Sequence, residues 1–173
     1  LEIVKVTFTH LDDAAAPDAS APRKVVDLQS LGSILKAVSA TEPSDTTASD
    51  SASDAPVVNI QSQDLLLHAK KGSVGAAGLP LTVALTGNLV NVLATQGVAI
   101  TSVQGPLHIT DRVTTPYKDI TLTVEDTGAT RNNQNLSLAE NAYIQTGDGA
   151  ITLIVANNLS LPKGSKLQAP RGP

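Results

Sequence analysis

The segment Asn135 to Gln145 reads Asn-Leu-Ser-Leu-Ala-Glu-Asn-Ala-Tyr-Ile-Gln. It returns without a gap 23 residues further on, from Asn158 to Gln168, as Asn-Leu-Ser-Leu-Pro-Lys-Gly-Ser-Lys-Leu-Gln. The leading Asn-Leu-Ser-Leu and the closing Gln are identical, and Ile144 is answered by Leu167. A second match runs upstream: Ile120-Thr-Leu-Thr-Val124 returns 31 residues later as Ile151-Thr-Leu-Ile-Val155. The polar stretch 128–134 supplies the insertion that separates the two offsets. A weaker echo links Gly32-Ser-Ile34 with Gly72-Ser-Val74. A period in the twenties, made of short strands with tolerated insertions, is the pattern of coils stacked in a parallel β-solenoid.

The rest of the chain carries compatible punctuation. Residues 1–9 alternate apolar and polar, and 24–29 read as a second strand. Residues 31–38 read as a strand or a short helix. From residue 57 onward short apolar runs recur, among them 64–69, 81–85, 88–94, 98–103 and 106–113, separated by Gly, Asn, Asp and Pro. They are too short for helices and rich in Leu and β-branched residues. Residues 39–56 hold Ser, Asp and Thr but no large apolar side chain. Such a segment cannot bury enough surface to offset its ordering entropy. The expected organisation is therefore first strands or coils over 1–38, a low-complexity insertion over 39–56 and solenoid coils over 57–173. The expected fold is all-β, a right-handed parallel β-helix with loop insertions.

Composition agrees with that interior. Of the 173 residues 41% are hydrophobic but only 2% are aromatic, namely Phe8, Tyr117 and Tyr143. A narrow column of stacked coils has room for like aliphatic side chains and little for Trp or Met, both of which are absent. Without Cys there is no disulfide framework, no thiolate metal site and no cysteine nucleophile. A net charge of −4 and the scarcity of aromatics argue against nucleic-acid binding. No apolar run is long enough to span a bilayer as a helix. The chain starts at Leu1 and contains no Met, so it is expected to be a processed form or part of something longer.

The pattern Asp64-Leu-Leu-Leu67, Ala69, Gly72-Ser-Val-Gly75, Pro80-Leu-Thr-Val83, Gly87-Asn-Leu89 and Ala94 resembles the repeats of very large bacterial β-helical surface proteins. These are the filamentous-haemagglutinin-like and related giant adhesins. Gly32-Ser-Ile-Leu35 followed by Val57-Val-Asn-Ile60 looks like the preceding unit. The resemblance implies an exported, elongated stalk or adhesive fibre at the bacterial surface, with no catalytic residues to carry over. Its partners would be flanking coils of the same protein, identical chains end to end, or a surface receptor or glycan.

The chemistry-bearing residues are sparse. His10, His68 and His108 have no second ligand at metal spacing, and His68 and His108 alternate with apolar neighbours as outward strand residues do. Gly147-Asp148-Gly149 is a turn before a strand rather than a calcium repeat, which would recur. Asp45, Asp50 and Asp54 do not fit an EF-hand loop. Asp111 with Arg112, Asp119, Glu125, Asp126 and Glu140 are the carboxylates a β-helical polysaccharide enzyme would need to cluster, and they are scattered. Thr121, Thr123 and Thr152 are too few for an ice-binding array. No catalytic, cofactor or metal residue is therefore assigned. Asn135 and Asn158 are expected to form a corner ladder, although both also fit the glycosylation sequon. Arg131, Asn132, Asn133 and Gln134 lie in the insertion and form the candidate partner-contact loop. Two alternatives remain: a polysaccharide-active β-helix enzyme, and an antiparallel β-sandwich module of a surface protein. Asp at Leu138 or Leu161 is expected to break the stack, and a change at Arg131 to leave it intact.

Overall fold

The structure is a computed structural model, and it describes residues 4–11, 23–36, 58–125 and 133–170. Among them there is no helix, and hence none long and apolar enough to cross a membrane. The strands, in chain order, are β1 (Val4–Leu11), β2 (Arg23–Ser30), β3 (Ile60–Ser62), β4 (Asp64–Ala69), β5 (Leu81–Leu85), β6 (Asn88–Ala94) and β7 (Val98–Ser102). They continue as β8 (Leu107–Thr115), β9 (Ile120–Val124), β10 (Leu136–Leu138), β11 (Tyr143–Thr146), β12 (Ile151–Val155), β13 (Leu159–Ser160) and β14 (Lys166–Gln168). The strands expected at 64–69, 81–85 and 88–94 fall where the apolar runs lie. Residues 31–36 form neither strand nor helix. Only Ile34 pairs, in an isolated parallel bridge to Val74, which is the register of the weak Gly-Ser echo.

Two open sheets hold all the strands. The first has the order β1-β2-β4-β6-β8-β10-β13, with β11 on β8 and β14 on β11. The second has the order β12-β9-β7-β5-β3. From β2 to β10 the chain alternates between the sheets, so each strand pairs with one laid down a full circuit earlier. Among the described residues only β1 with β2 is antiparallel, and every other strand pairing is parallel. An antiparallel sandwich is thereby excluded, and the parallel run of the first sheet begins at β2.

The registers are those of the sequence repeat. Leu136 pairs with Leu159, and Ile144 with Leu167. Ile151 pairs with Ile120, across the longer offset. Because the side-chain period of a strand is two, this register sets like aliphatics in columns, about 4.8 Å apart. One column is Leu65, Leu89, Ile109 and Leu138; another is Leu67, Val92, Val113 and Ile144; a third, in the second sheet, is Ile100, Leu122 and Leu153. All but Leu153 are buried, and the columns of both sheets join in one cluster.

The first sheet bends, and the bend widens along the stack. Leu66 alone separates the inward Leu65 and Leu67. Val90 and Asn91 separate Leu89 from Val92, and Thr110 to Arg112 separate Ile109 from Val113. By the next circuit the gap runs from Ala139 to Tyr143 and divides β10 from β11. Register shifts at Leu65/Leu66 and Leu89/Asn91 mark the added residues. Each is a bulge that turns the strand and swings polar residues outward.

Candidate functional surfaces

Short polar side chains stitch successive circuits where the chain turns from one sheet to the other. At such corners the strand ladder lapses, and a backbone N–H needs another acceptor. Asn59 Oδ1 accepts the N–H of Thr82 at 2.9 Å, and Asp119 Oδ1 that of Ala150 at 2.8 Å. Asp64 Oδ1 accepts both the N–H and the side-chain amide of Asn88, each at 2.8 Å. Ser33 Oγ accepts from Ser73 at 3.0 Å, and Ser73 Oγ from Gly97 at 3.3 Å. Asn135 does the same, its Oδ1 accepting the N–H of Asn158 at 3.2 Å. The link between the two asparagines thus runs from side chain to backbone; Asn135 is half-buried and Asn158 exposed. In every pair the acceptor belongs to the earlier circuit. Asn59→Ala and Asp119→Ala are each expected to cost about 1 kcal/mol, read as a fall in thermal midpoint, and Asn59→Asp to cost less.

The widened bend carries the main polar cluster of the outer face. Asn91, Arg112 and Tyr143 are cross-strand neighbours on three successive circuits. Asn91 Nδ2 donates to Asp111 Oδ2 at 2.8 Å, and Arg112 Nη1 donates to Tyr143 Oη at 3.4 Å. Arg112 Nε lies 3.5 Å from Asp111 Oδ2. The Tyr143 hydroxyl, and then Asp111, hold the guanidinium above its already high pKa. The ion pair is about half exposed, so it contributes at most about 1 kcal/mol. Its chemistry is positional: one charge fixed at the bulge.

On the neighbouring row His108 Nδ1 lies 2.7 Å from Ser137 Oγ. A nucleophilic couple also needs a group that orients the imidazole and donors for an oxyanion. The nearby carboxylates are engaged elsewhere: Asp111, on the same strand, holds Asn91 and Arg112, and Asp64, two strands away, holds Asn88. The pair therefore reads as a cross-strand polar contact.

A groove of about 350 Å³ lies between the turn 76–79 and the entry corner of the second sheet. Gln96, Gly97, Ala99, Lys118, Asp119 and Thr121 are among the residues that line it. Among the described residues Asp119 is its one carboxylate, and no aromatic ring lines it. Glycoside cleavage uses a pair of carboxylates across the scissile bond, which this groove does not offer. Among the described residues no group of three or more His, Asp or Glu could hold a metal ion.

Of the candidate contact loop, Arg131 and Asn132 lie outside the described residues. Asn133 is exposed, whereas Gln134 is 1% exposed, and its carbonyl accepts the N–H of Asn157 at 3.2 Å. His10, Asp45, Asp50, Asp54 and Asp126 also fall where no side chain is described. His68 and His108 are half-buried on outward strand positions.

The last circuit is unlike those before it. Leu159, Leu161 and Leu167 are 46%, 47% and 41% exposed, although Leu136 and Ile144, the partners of Leu159 and Leu167, and Leu138, the repeat equivalent of Leu161, are buried. Among the described residues, the strands β12, β13 and β14 each end their path through a sheet. The repeat does not separate the two positions, because Leu161 and Leu138 occupy the same place in it.

Comparison with protein families, with curated proteins and with solved structures finds no match to this chain.

Proposed function

We propose that the chain is a structural or adhesive segment of a secreted or cell-surface bacterial β-solenoid, and that it performs no catalysis. The observation that carries this reading is the identity of the sequence offsets with the pairing registers of β10 with β13, β11 with β14, and β9 with β12. A chain that returns to the same register after each circuit, always parallel, winds as a parallel β-helix. Crossovers between parallel strands are right-handed in nearly all proteins, which sets the expected hand. Each circuit adds about 4.8 Å of length, so such a segment extends and presents loops and outer faces along a rod. Its partners are flanking coils, identical chains, or a receptor or glycan on a neighbouring surface. The polysaccharide-enzyme alternative gains nothing from a groove with a single carboxylate.

The test pairs shape with activity. A version with residues 58–170 duplicated in tandem should scatter X-rays as a longer rod of unchanged cross-section, and should release no reducing ends from a panel of polysaccharides. Two beads on a linker would overturn the solenoid, and polysaccharide cleavage would overturn the non-catalytic reading.

A further inference from the structure

The geometry points to the groove beside the turn 76–79 as a binding site for an uncharged sugar ring of a glycan. The inference deepens the adhesive reading above and rests on it. Three successive circuits assemble the groove, with lining residues drawn from 73–77, 96–99 and 118–121, so it exists only where the coils stack. It lies mid-stack, against β7 and β9. Its volume of about 350 Å³ falls within the range of about 300–1,000 Å³ typical of small-molecule sites. Val98 pairs with Ile120, and Ala99 with Thr121. Gln96 and Lys118, each two residues before the first of these pairs, therefore occupy the same place on adjacent rungs, about 4.8 Å apart.

The lining selects the class of ligand. Gln96 brings an amide that donates and accepts, Lys118 a donor, Asp119 an acceptor and Thr121 a hydroxyl that serves as both. Lys118 and Asp119 are exposed, and Gln96 and Thr121 half-buried. Asp119 is already oriented: its Oδ1 accepts the N–H of Ala150 at 2.8 Å, which leaves Oδ2 for a ligand hydroxyl. The charges of Lys118 and Asp119 offset one another, so the groove does not favour an anion. β7 and β9 each have a neighbour on both sides, so an extended peptide cannot add here as a further strand. What remains is a neutral ligand dense in hydroxyls. Ala76, Ala77 and Ala99 offer an apolar bed for the C–H face of a pyranose. Polar groups one rung apart reach hydroxyls on opposite sides of one ring. With no aromatic ring to stack on, a single sugar binds weakly, and firm attachment comes from many copies displayed on one surface.

Nuclear magnetic resonance titration of the isotope-labelled full chain tests this. The neutral probes are methyl glucoside, methyl galactoside, methyl mannoside and N-acetylglucosamine, and the anionic ones are glucuronate and inorganic phosphate. At least one neutral sugar should shift the amides of 73–77, 96–99 and 118–121 saturably, with a Kd of about 1–10 mM, and the anions should not. Gln96→Ala and Lys118→Ala should each weaken binding about tenfold while far-UV circular dichroism is unchanged. No saturable shift with any neutral sugar up to about 100 mM would overturn the inference. So would shifts centred outside the groove, a preference for glucuronate or phosphate, or binding indifferent to both substitutions. The tandem duplicate described above reports on the solenoid separately. A rod that takes up no neutral sugar overturns this inference alone, and two beads on a linker overturn the coiled reading.

Discussion

Leu138→Asp is expected to unfold most of the molecules at room temperature, and Leu161→Asp is not. The two leucines are identical in the repeat, and from sequence either should break the stack. The structure separates them. Leu138 is 2% exposed, with Ile109 beside it on the preceding circuit, whereas Leu161 is 47% exposed on the last one. A carboxylate at 138 would be buried in an aliphatic column with no partner, or would draw water and backbone out of place. That costs several kcal/mol, a large share of the 5–15 kcal/mol that holds a typical domain together. At 161 the carboxylate stays hydrated, and the loss is about 1 kcal/mol of partial leucine burial. Leu138→Ala separates cavity from charge and should cost about 3 kcal/mol. Urea unfolding followed by circular dichroism ranks the three. Equal losses for Leu138→Asp and Leu161→Asp would contradict the stacking order.

Gly75→Ala is the second substitution with a large expected effect. Gly75 has φ of 68°, and a Cβ there would stand 2.0 Å from the carbonyl oxygen of Ala99 and 2.8 Å from the amide nitrogen of Leu81. Both obstacles are backbone, so neither can rotate away. Gly75 is also fixed from the other side, where its N–H donates to the carbonyl of Ile34 at 2.7 Å. Relief would require parting three segments of the stack, and we expect a loss of at least about 3 kcal/mol. Gly78 provides the control. Its φ is 78°, but nothing lies within 4 Å of the added Cβ. Gly78→Ala then bears only the left-handed backbone cost, about 1 kcal/mol. Thermal denaturation of the two variants should separate them by many degrees.

Much of the architecture was legible because the repeat is a register as well as a pattern. Aligning Asn135 with Asn158 and Ile120 with Ile151 gave the pairing of six strands before any coordinate. Strand propensity alone would have missed β14, whose Lys-Leu-Gln is unremarkable until set against Tyr143-Ile-Gln145. The direction of β1 was not legible, since alternation in residues 1–9 states that a strand exists and not how it pairs. The widening bend was hidden because single-residue bulges at Val90 and at Thr110–Asp111 leave the apolar runs unbroken. The corner acceptors left a trace that could have been read: Asn59, Asp119 and Asn135 each stand one residue before the first apolar residue of a strand. Exposure of the last circuit cannot be read from a repeat, because it depends on what stacks above a coil and not on the coil's own residues.

The central claim is that outward residues one offset apart are side by side on adjacent parallel strands. Disulfide trapping tests it most directly, and the chain has no cysteine of its own to interfere. Thr121 pairs with Thr152, and Ser137 with Ser160. Neighbouring strands lie within the Cα separation a disulfide bridges. Thr121→Cys with Thr152→Cys, and separately Ser137→Cys with Ser160→Cys, should close intrachain disulfides under mild oxidation with the circular dichroism spectrum unchanged. Thiols that stay free in the folded chain, or that link only between chains, would contradict the stacked-coil account.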